Sequence, residues 1–485
     1  MIAGALHARS PLMPSPPSSL AALRARYGAR YRWLSLGTVM LGTIASVMAS
    51  TIVNVAVPDM SQYFTLGQER AQWLAAGFMA AMTVSMPLTP WLLERHGYRR
   101  TYMAAVLLLL AGSIAGGLSN SYGLVLAMRV TEGLAAGVLQ PIPAIIVLRG
   151  FKPEEQGRAM GLFGFGVVLA PALGPSIGGV LVEWFGWRSI FFVASPFCLL
   201  ALPLAWKLLP HSAPGGVEVN AAKVRLDLGG LALATSTILL GLNGLALLHG
   251  GSAGAGLALL ACSAGALAAF VRHQRRTPHP LMRLDLFRHR RFALGALVAF
   301  VYGAALFGST YLLPVFMQIA LSLPPSQAGA VLLPAGIALA ITIPLVGRSS
   351  TPSSRAAFIF SGLVLLALSF ALMLVVGRGT ALTMITALAI VGRIGLGCIL
   401  PSLNLAAMES VDTALAAQGT SLINLLRQLG GATGVSLIGV FLAWRLEVAG
   451  SPTSLRAFHE AFLLLGLLTA AAAVAARGMR HARRV

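Results

Sequence analysis

Four ionisable side chains stand inside stretches otherwise built of Leu, Ala, Gly and Val: Arg129 and Glu132 in one, Arg393 in a second, Arg427 in a third. At bilayer depth such residues cost about 2.5–3.5 kcal/mol each on insertion scales, which makes them functional candidates. Glu132 follows Arg129 by three residues, so the two share a helical face. Burial opposes the charge of the carboxyl and Arg129 favours it, a balance in which a proton can be taken up and released. The same two groups can equally form a permanent ion pair that packs one helix. Arg393 and Arg427 divide between gating or substrate contact and a structural role satisfied by carbonyls. The sequence holds no Gly-x-x-x-x-Gly-Lys-Ser/Thr loop, no metal-ligand spacing and no nucleophile–base cluster. ATP is therefore not the direct energy source, no cofactor or metal is expected, and the chain does not read as an enzyme.

The elements that position these groups follow from composition. Of the 485 residues, 57% are hydrophobic and 10% charged, against about 25% charged in a soluble domain. Apolar runs of roughly 20 residues recur from Leu34 to Ala476, each long enough to cross a hydrocarbon core. They do not alternate in polarity, so they are helices and not barrel strands. About fourteen spans are predicted, near 34–57, 71–93, 101–118, 122–148, 157–182, 187–209, 228–249, 254–271, 292–319, 327–347, 356–376, 380–405, 416–443 and 457–476. By rise per residue, Glu132 lies about 15 Å, Arg393 about 20 Å and Arg427 about 16 Å from the start of its span. All four ions should face a cavity or each other.

The net charge of +21 is distributed, not clustered. Arg95, Arg99 and Arg100, then Arg149, Lys152 and Arg158, then Arg272 through Arg291, and finally Arg477 through Arg484 fall after even-numbered spans. This positive-inside alternation predicts an inner-membrane multi-pass protein with both termini cytoplasmic, and removes any need for a nucleic-acid partner. Residues 1–32 are expected to form a disordered cytoplasmic tail, 33–210 a first six-helix bundle and 211–291 a linker with two extra helices. A second bundle is expected over 292–476 and a short cytoplasmic tail over 477–485. Asp59, Glu69, Asp227, Glu409, Asp412 and Glu447 stand at span ends and are expected to be solvated. Cys198, Cys262 and Cys398 are expected to be buried in the bundle.

An internal repeat supports the division. Gly133, Gly137 and Pro141 in the fourth span are spaced like Arg393, Gly397 and Pro401 in the twelfth. Gln156-Gly157 and Gln418-Gly419 open the fifth and thirteenth. Parallel repeats with a site between the halves are a transporter signature, although glycines four apart also serve ordinary helix packing.

Several motifs carry a resemblance. Between the second and third spans runs Pro90-Trp-Leu-Leu-Glu94-Arg95-His96-Gly97-Tyr98-Arg99-Arg100, which resembles the loop motif of the major facilitator superfamily, with Glu94 in place of Asp and Pro90 in place of Gly. Ala170-Pro171-Ala172-Leu173-Gly174-Pro175-Ser176-Ile177-Gly178-Gly179 resembles the antiporter motif of its proton-coupled exporters. Thr51-Ile-Val-Asn54-Val-Ala-Val-Pro58 and Asn424-Leu-Leu-Arg427-Gln428-Leu-Gly430-Gly431 are similar to motifs of the fourteen-helix drug:proton antiporters of the EmrB/QacA type.

The resemblance implies an all-α major facilitator fold of 6+2+6 helices and proton-coupled antiport exporting amphipathic small molecules. By family analogy alone it adds a periplasmic adaptor protein to protons, substrate and the lipid bilayer as partners. Arg129-Val-Thr-Glu132-Gly133 resembles the family's Arg-x-x-Gln-Gly motif, whose Arg is linked to proton transfer, with Glu132 in the Gln position. Together with the intramembrane ions this points to Glu132 and Arg129 for proton coupling, Asn54, Arg393, Arg427 and Gln428 for cavity or gating, and Gly174, Pro175, Gly178 and Gly179 for the antiporter motif. Glu94, Arg95, Gly97, Arg99 and Arg100 would form a cytoplasmic latch. Ala49 stands where the family often has an Asp, so Glu132 is expected to replace that carboxylate. An excess of arginine in the cavity favours neutral or weakly acidic substrates over dications. The alternatives are a dedicated exporter of one endogenous metabolite or lipid, and a non-transporting scaffold.

Overall fold

The computed structural model describes residues 20–66, 68–212, 225–249 and 252–479. Among them there is no strand. The first group of helices comprises α1 (Leu20–Tyr27), α2 (Tyr31–Tyr63), α3 (Gln68–Ser85), α4 (Leu88–Leu118), α5 (Tyr122–Leu139), α6 (Ile142–Gly150), α7 (Pro153–Phe185), α8 (Ser189–Phe192) and α9 (Ser195–Leu208). Two more follow, α10 (Leu228–His249) and α11 (Ala253–Arg276). The last group is α12 (Arg290–Val315), α13 (Pro325–Ser349), α14 (Arg355–Leu372), α15 (Leu382–Met408), α16 (Ala416–Val448) and α17 (Leu455–Arg477). Twelve helical stretches of the described residues are long and apolar enough to cross a membrane. The short apolar segment Trp73–Ser85 of α3 and the 33-residue α7 bring the crossings to the fourteen expected.

Local chemistry sets where the crossings bend. Gly97, at φ 76° and ψ 174°, interrupts α4. Leu88–His96 thus completes the crossing begun by α3, and the rest of α4 makes the next. A Cβ at Gly97 would also collide with the carbonyl oxygen of His211, so only glycine makes this turn. Pro141 separates α5 from α6 within one crossing, whereas its counterpart Pro401 is carried inside α15. Of the expected N-terminal tail, residues 1–19 lie outside the described residues, but Leu20–Tyr27 is helical. Its Leu-Ala-Ala-Leu-Arg-Ala-Arg sequence consists of good helix formers, and Leu23 is buried, so the part of the expected tail from Leu20 onward is ordered helix. Residues 213–224 of the linker and 480–485 at the C-terminus lie outside the described residues.

The two groups of helices repeat each other's contacts. In the first, α2 packs on α7 and α9, α5 on α3 and α4, and α4 on α9. In the second, α12 packs on α16 and α17, α15 on α13 and α14, and α14 on α17. These are the same five pairings in the same order. The groups meet along two seams, α7 with α13 and α15, and α16 with α3, α4 and α6. Glycine makes the first seam close: a Cβ on Gly161 would stand 2.9 Å from Gly347 Cα. Outside the second seam lies α10, touching α3 and α16, with α11 packed on it.

Candidate functional site

The pair expected to handle protons is assembled inside the first bundle. Arg129 Nη1 lies 2.6 Å from Glu132 Oε2, and Ser113 Oγ on α4 donates to Glu132 Oε1 at 2.8 Å. Arg129 also donates through Nε to the Leu74 carbonyl (3.1 Å) and through Nη1 to the Ala49 carbonyl (3.0 Å), and its guanidinium sits 4.4 Å from the Phe78 ring centroid. One guanidinium thus ties α5 to α2 and α3, while its carboxylate partner ties α5 to α4. Both side chains are almost wholly enclosed, at 2% and 1% exposure. A Cβ on Gly112 would come within 2.9 Å of Glu132 Cγ, so glycine is what makes room for the acid. The backbone oxygen of Ala49, whose side chain lacks the carboxylate of the resembled family, is itself one of the acceptors for Arg129.

The other candidates sit nearer the seams. Arg427 is buried and donates to Asn424 Oδ1 (3.2 Å) on its own helix and to Gln140 Oε1 (3.3 Å) on the opposite bundle. Gln428 Nε2 points at Met79 Sδ of α3, 3.4 Å away. Arg393 is partly exposed and donates to Thr310 Oγ1 of α12 at 3.3 Å. Asn54 is exposed on α2. Tyr302 of α12 lies within electrostatic reach of both arginines and is fully buried, with its hydroxyl unpartnered among the described residues. In the antiporter motif, Gly174 and Pro175 belong to α7, but their surroundings lie outside the described residues. Gly178 faces Ile52 of α2, whose Cγ1 would be 2.7 Å from an added Cβ, and Gly179 faces open space.

The loop motif grips its own bundle. Arg99 Nε donates to the Leu209 carbonyl (2.8 Å) and Nη1 to His211 Nε2 (2.9 Å), and the Tyr98 and Arg99 backbone N–H groups donate to Ser212 and Pro210. An arginine can only donate, so His211 Nε2 accepts and the ring is neutral. Burial, then the Arg99 and Arg100 charges, push this imidazole below its ordinary value. Arg95 lies over the Trp91 ring, Glu94 lines a small cavity with Asp227 and Arg283, and Arg100 is exposed.

Further bonds that cross between the bundles come from residues that sequence alone marks with no site role. Arg149 donates to the Ala414 carbonyl (2.6 Å), Arg355 to the Pro153 carbonyl (3.4 Å) and Ser421 Oγ to the Met86 carbonyl (3.0 Å). With those of Arg427 and Gln428, all lie between mid-depth and the arginine-rich end.

Three expectations are corrected. Glu409 is not solvated: it is paired with Arg355 (3.1 Å) and Arg291 (3.3 Å), its side chain 15% exposed. Asp227 is also enclosed. Burial raises the value of its carboxyl, but hydrogen bonds from His273, the Gly230 N–H, Gln274 and the Leu281 N–H outweigh that and hold it below the usual range. In both cases cations or amides from distant segments replace water. Cys262 is exposed while Cys198 and Cys398 are buried, because α11 packs against little besides α10.

A family model described as Major Facilitator Superfamily matches residues 39–435. Among similar proteins, the "Multidrug resistance protein B homolog" of Mycobacterium tuberculosis is 32% identical over 423 residues, 85% of this chain and 77% of the relative. The "Lincomycin resistance protein LmrB" of Listeria monocytogenes is 27% identical over 408 residues, 83% of this chain and 84% of the relative. Among solved structures, that of the human organic anion transporter MFSD10 (TETRAN) superimposes with a TM-score of 0.67 at 17% identity, covering 90% of this chain and 99% of the other. That last likeness concerns the fold alone.

Proposed function

Because the chain belongs to the Major Facilitator Superfamily of secondary transporters, and not to any enzyme class, we propose that it is a proton-coupled antiporter exporting amphipathic small molecules. On this reading it lies in the cell membrane with its arginine-rich end cytoplasmic. Relatives named for multidrug and lincomycin resistance support the drug-export reading. The observation that carries the coupling is the enclosed Arg129–Glu132–Ser113 cluster: among the acidic residues that the structure describes, Glu132 alone stands near mid-depth. Protonating Glu132 would release Arg129 to its two carbonyl acceptors on α2 and α3. A proton would thereby alter how three helices of one bundle are tied together, which is a two-state element of the kind alternating access needs. Arginines at Arg393 and Arg427, with no mid-depth carboxylate beside them among the described residues, favour neutral or weakly acidic substrates.

The direct test is Glu132→Gln in gradient-driven uptake into inverted vesicles or efflux from intact cells. Loss of proton-dependent efflux with unchanged expression is expected. Full coupled transport by that variant would remove Glu132 from the mechanism. A susceptibility panel with the same pair of proteins, spanning weak acids and dications, reads the substrate class. A knockout accumulating one endogenous compound without drug sensitivity would replace multidrug export with a dedicated exporter.

A further inference from the structure

A cavity of about 600 Å³ opens at the arginine-rich end of the first bundle, between α1, the start of α2, the α6–α7 turn and the Leu209–Ser212 segment. It lies apart from the Arg129–Glu132 cluster and touches the seam between the bundles only through Arg149. Its wall carries four cations, Arg24, Arg32, Arg149 and Lys152. Arg32 is already matched by Glu155 at 2.5 Å. Arg24 and Lys152 are exposed, with no ion-pair or hydrogen-bond partner among the described residues. Two further donors are enclosed and unsatisfied there, Arg149 Nε and Ser212 Oγ. Apolar surface from Leu20, Ile146 and Leu209 completes the lining.

Unmatched cations beside enclosed donors call for a compact anion with several acceptor oxygens. Phosphate meets that need better than a carboxylate, because it offers more acceptor oxygens to several donors converging from different sides, while still accepting two parallel bonds from an arginine fork. The apolar part of the wall, and a position where the chain first enters the apolar run at Leu34, suit a ligand carrying hydrocarbon. Basic pockets at the cytoplasmic ends of membrane helices take anionic lipid headgroups for these reasons.

We propose that this cavity binds a phosphate group, supplied by the headgroup of an anionic phospholipid of the adjoining leaflet. Arg149 spans the cavity and the bundle seam, since its Nη2 holds the Ala414 carbonyl while its Nε is unpaired in the cavity. A bound phosphate would therefore fasten one of the contacts that close this end.

The test measures thermal unfolding of the detergent-solubilised full chain. Dioctanoyl-phosphatidylglycerol, dioctanoyl-phosphatidylcholine, glycerol 3-phosphate and inorganic phosphate are titrated separately. Saturable stabilisation by phosphatidylglycerol and none by phosphatidylcholine is expected. The double variant Arg24→Gln/Lys152→Gln should need at least about tenfold more lipid for the same shift, roughly 1.4 kcal/mol of binding. A control, Arg275→Gln/Arg276→Gln at the exposed end of α11, removes the same charge elsewhere and should respond like the unaltered protein. Equal stabilisation by glycerol 3-phosphate or inorganic phosphate would keep the site and assign it a soluble source. The proposal is overturned if phosphatidylglycerol has no effect, if the cavity variant responds normally, or if the control variant weakens equally. Unliganded melting midpoints report whether each variant is folded.

Discussion

Glu132 divides its two oxygens between a guanidinium and a hydroxyl, and that division governs what each substitution does. Arg129→Leu leaves an enclosed carboxylate with Ser113 as its only partner, and breaking a buried pair from one side costs about 3–5 kcal/mol. Replacing both, Arg129→Leu/Glu132→Leu, should recover much of that loss, because no uncompensated charge remains. Melting midpoints of the single and double variants in detergent check this; a double variant less stable than either single one would contradict it. A second residue-scale prediction concerns His211, which must be neutral to accept from Arg99. Its folded value lies below its ordinary value of about 6.5. Its contribution is thus fully present above that pH and is lost as pH falls through the lower folded-state value. His211→Gln keeps an acceptor that does not titrate, so its melting midpoint should fall less between pH 7 and pH 5. The Arg129–Glu132 contact was legible in the sequence because three-residue spacing on a helix fixes proximity. The partnerships of Ser113, Gln140 and Ala414 were not, since hydrophobic periodicity says which residues face inward but not which helix they meet.

At the scale of elements, helix existence was readable and helix continuity was not. The fourth predicted span is α5 and α6 broken at Pro141, yet the same proline spacing in α15 leaves that helix whole. A proline removes one backbone bond in both cases, and the neighbours decide whether the chain turns. The cytoplasmic latch shows the same limit. Gly97 and Arg99 do hold a turn, but they hold it onto the end of α9, while the bonds that cross the bundles belong to Arg149 and Arg355. The glycines of α7 carry a stronger constraint: Gly157 and Gly161 lie against the backbone of α13 at Gly347. Gly161→Val inserts side chain where helices touch, and overpacking of this kind costs about 1–3 kcal/mol. The cost falls on the closed seam alone. The variant should therefore insert and fold but show reduced efflux, measured against surface expression; undiminished efflux would mean that α7 and α13 need not meet this closely.

The whole molecule is held together asymmetrically. Two bundles with matching internal contacts are bonded to one another only between mid-depth and the arginine-rich end, among the described residues. At the opposite end the bonds stay within a bundle, as with Arg188 to Asn120 and Arg378 to Thr453. Ties confined to the arginine-rich end are those that an outward-facing two-bundle transporter needs, so on the proposed orientation this arrangement is assigned to the outward-facing state. Asn54, exposed on α2, then reports access. With Cys198, Cys262 and Cys398 replaced by alanine, Asn54→Cys should react with an impermeant thiol reagent added outside and be slow to react from the cytoplasm. Removing the two arginine ties, Arg149→Ala/Arg355→Ala, takes two cross-bundle hydrogen bonds of about 1 kcal/mol each from this state only, while the Arg355–Glu409 pair within the second bundle is lost from both states alike. The population should shift accordingly, by roughly tenfold for each 1.4 kcal/mol lost. External labelling of Asn54→Cys should slow while cytoplasmic labelling quickens. Equal labelling from both sides before and after would show that these arginines do not set which way the bundles face.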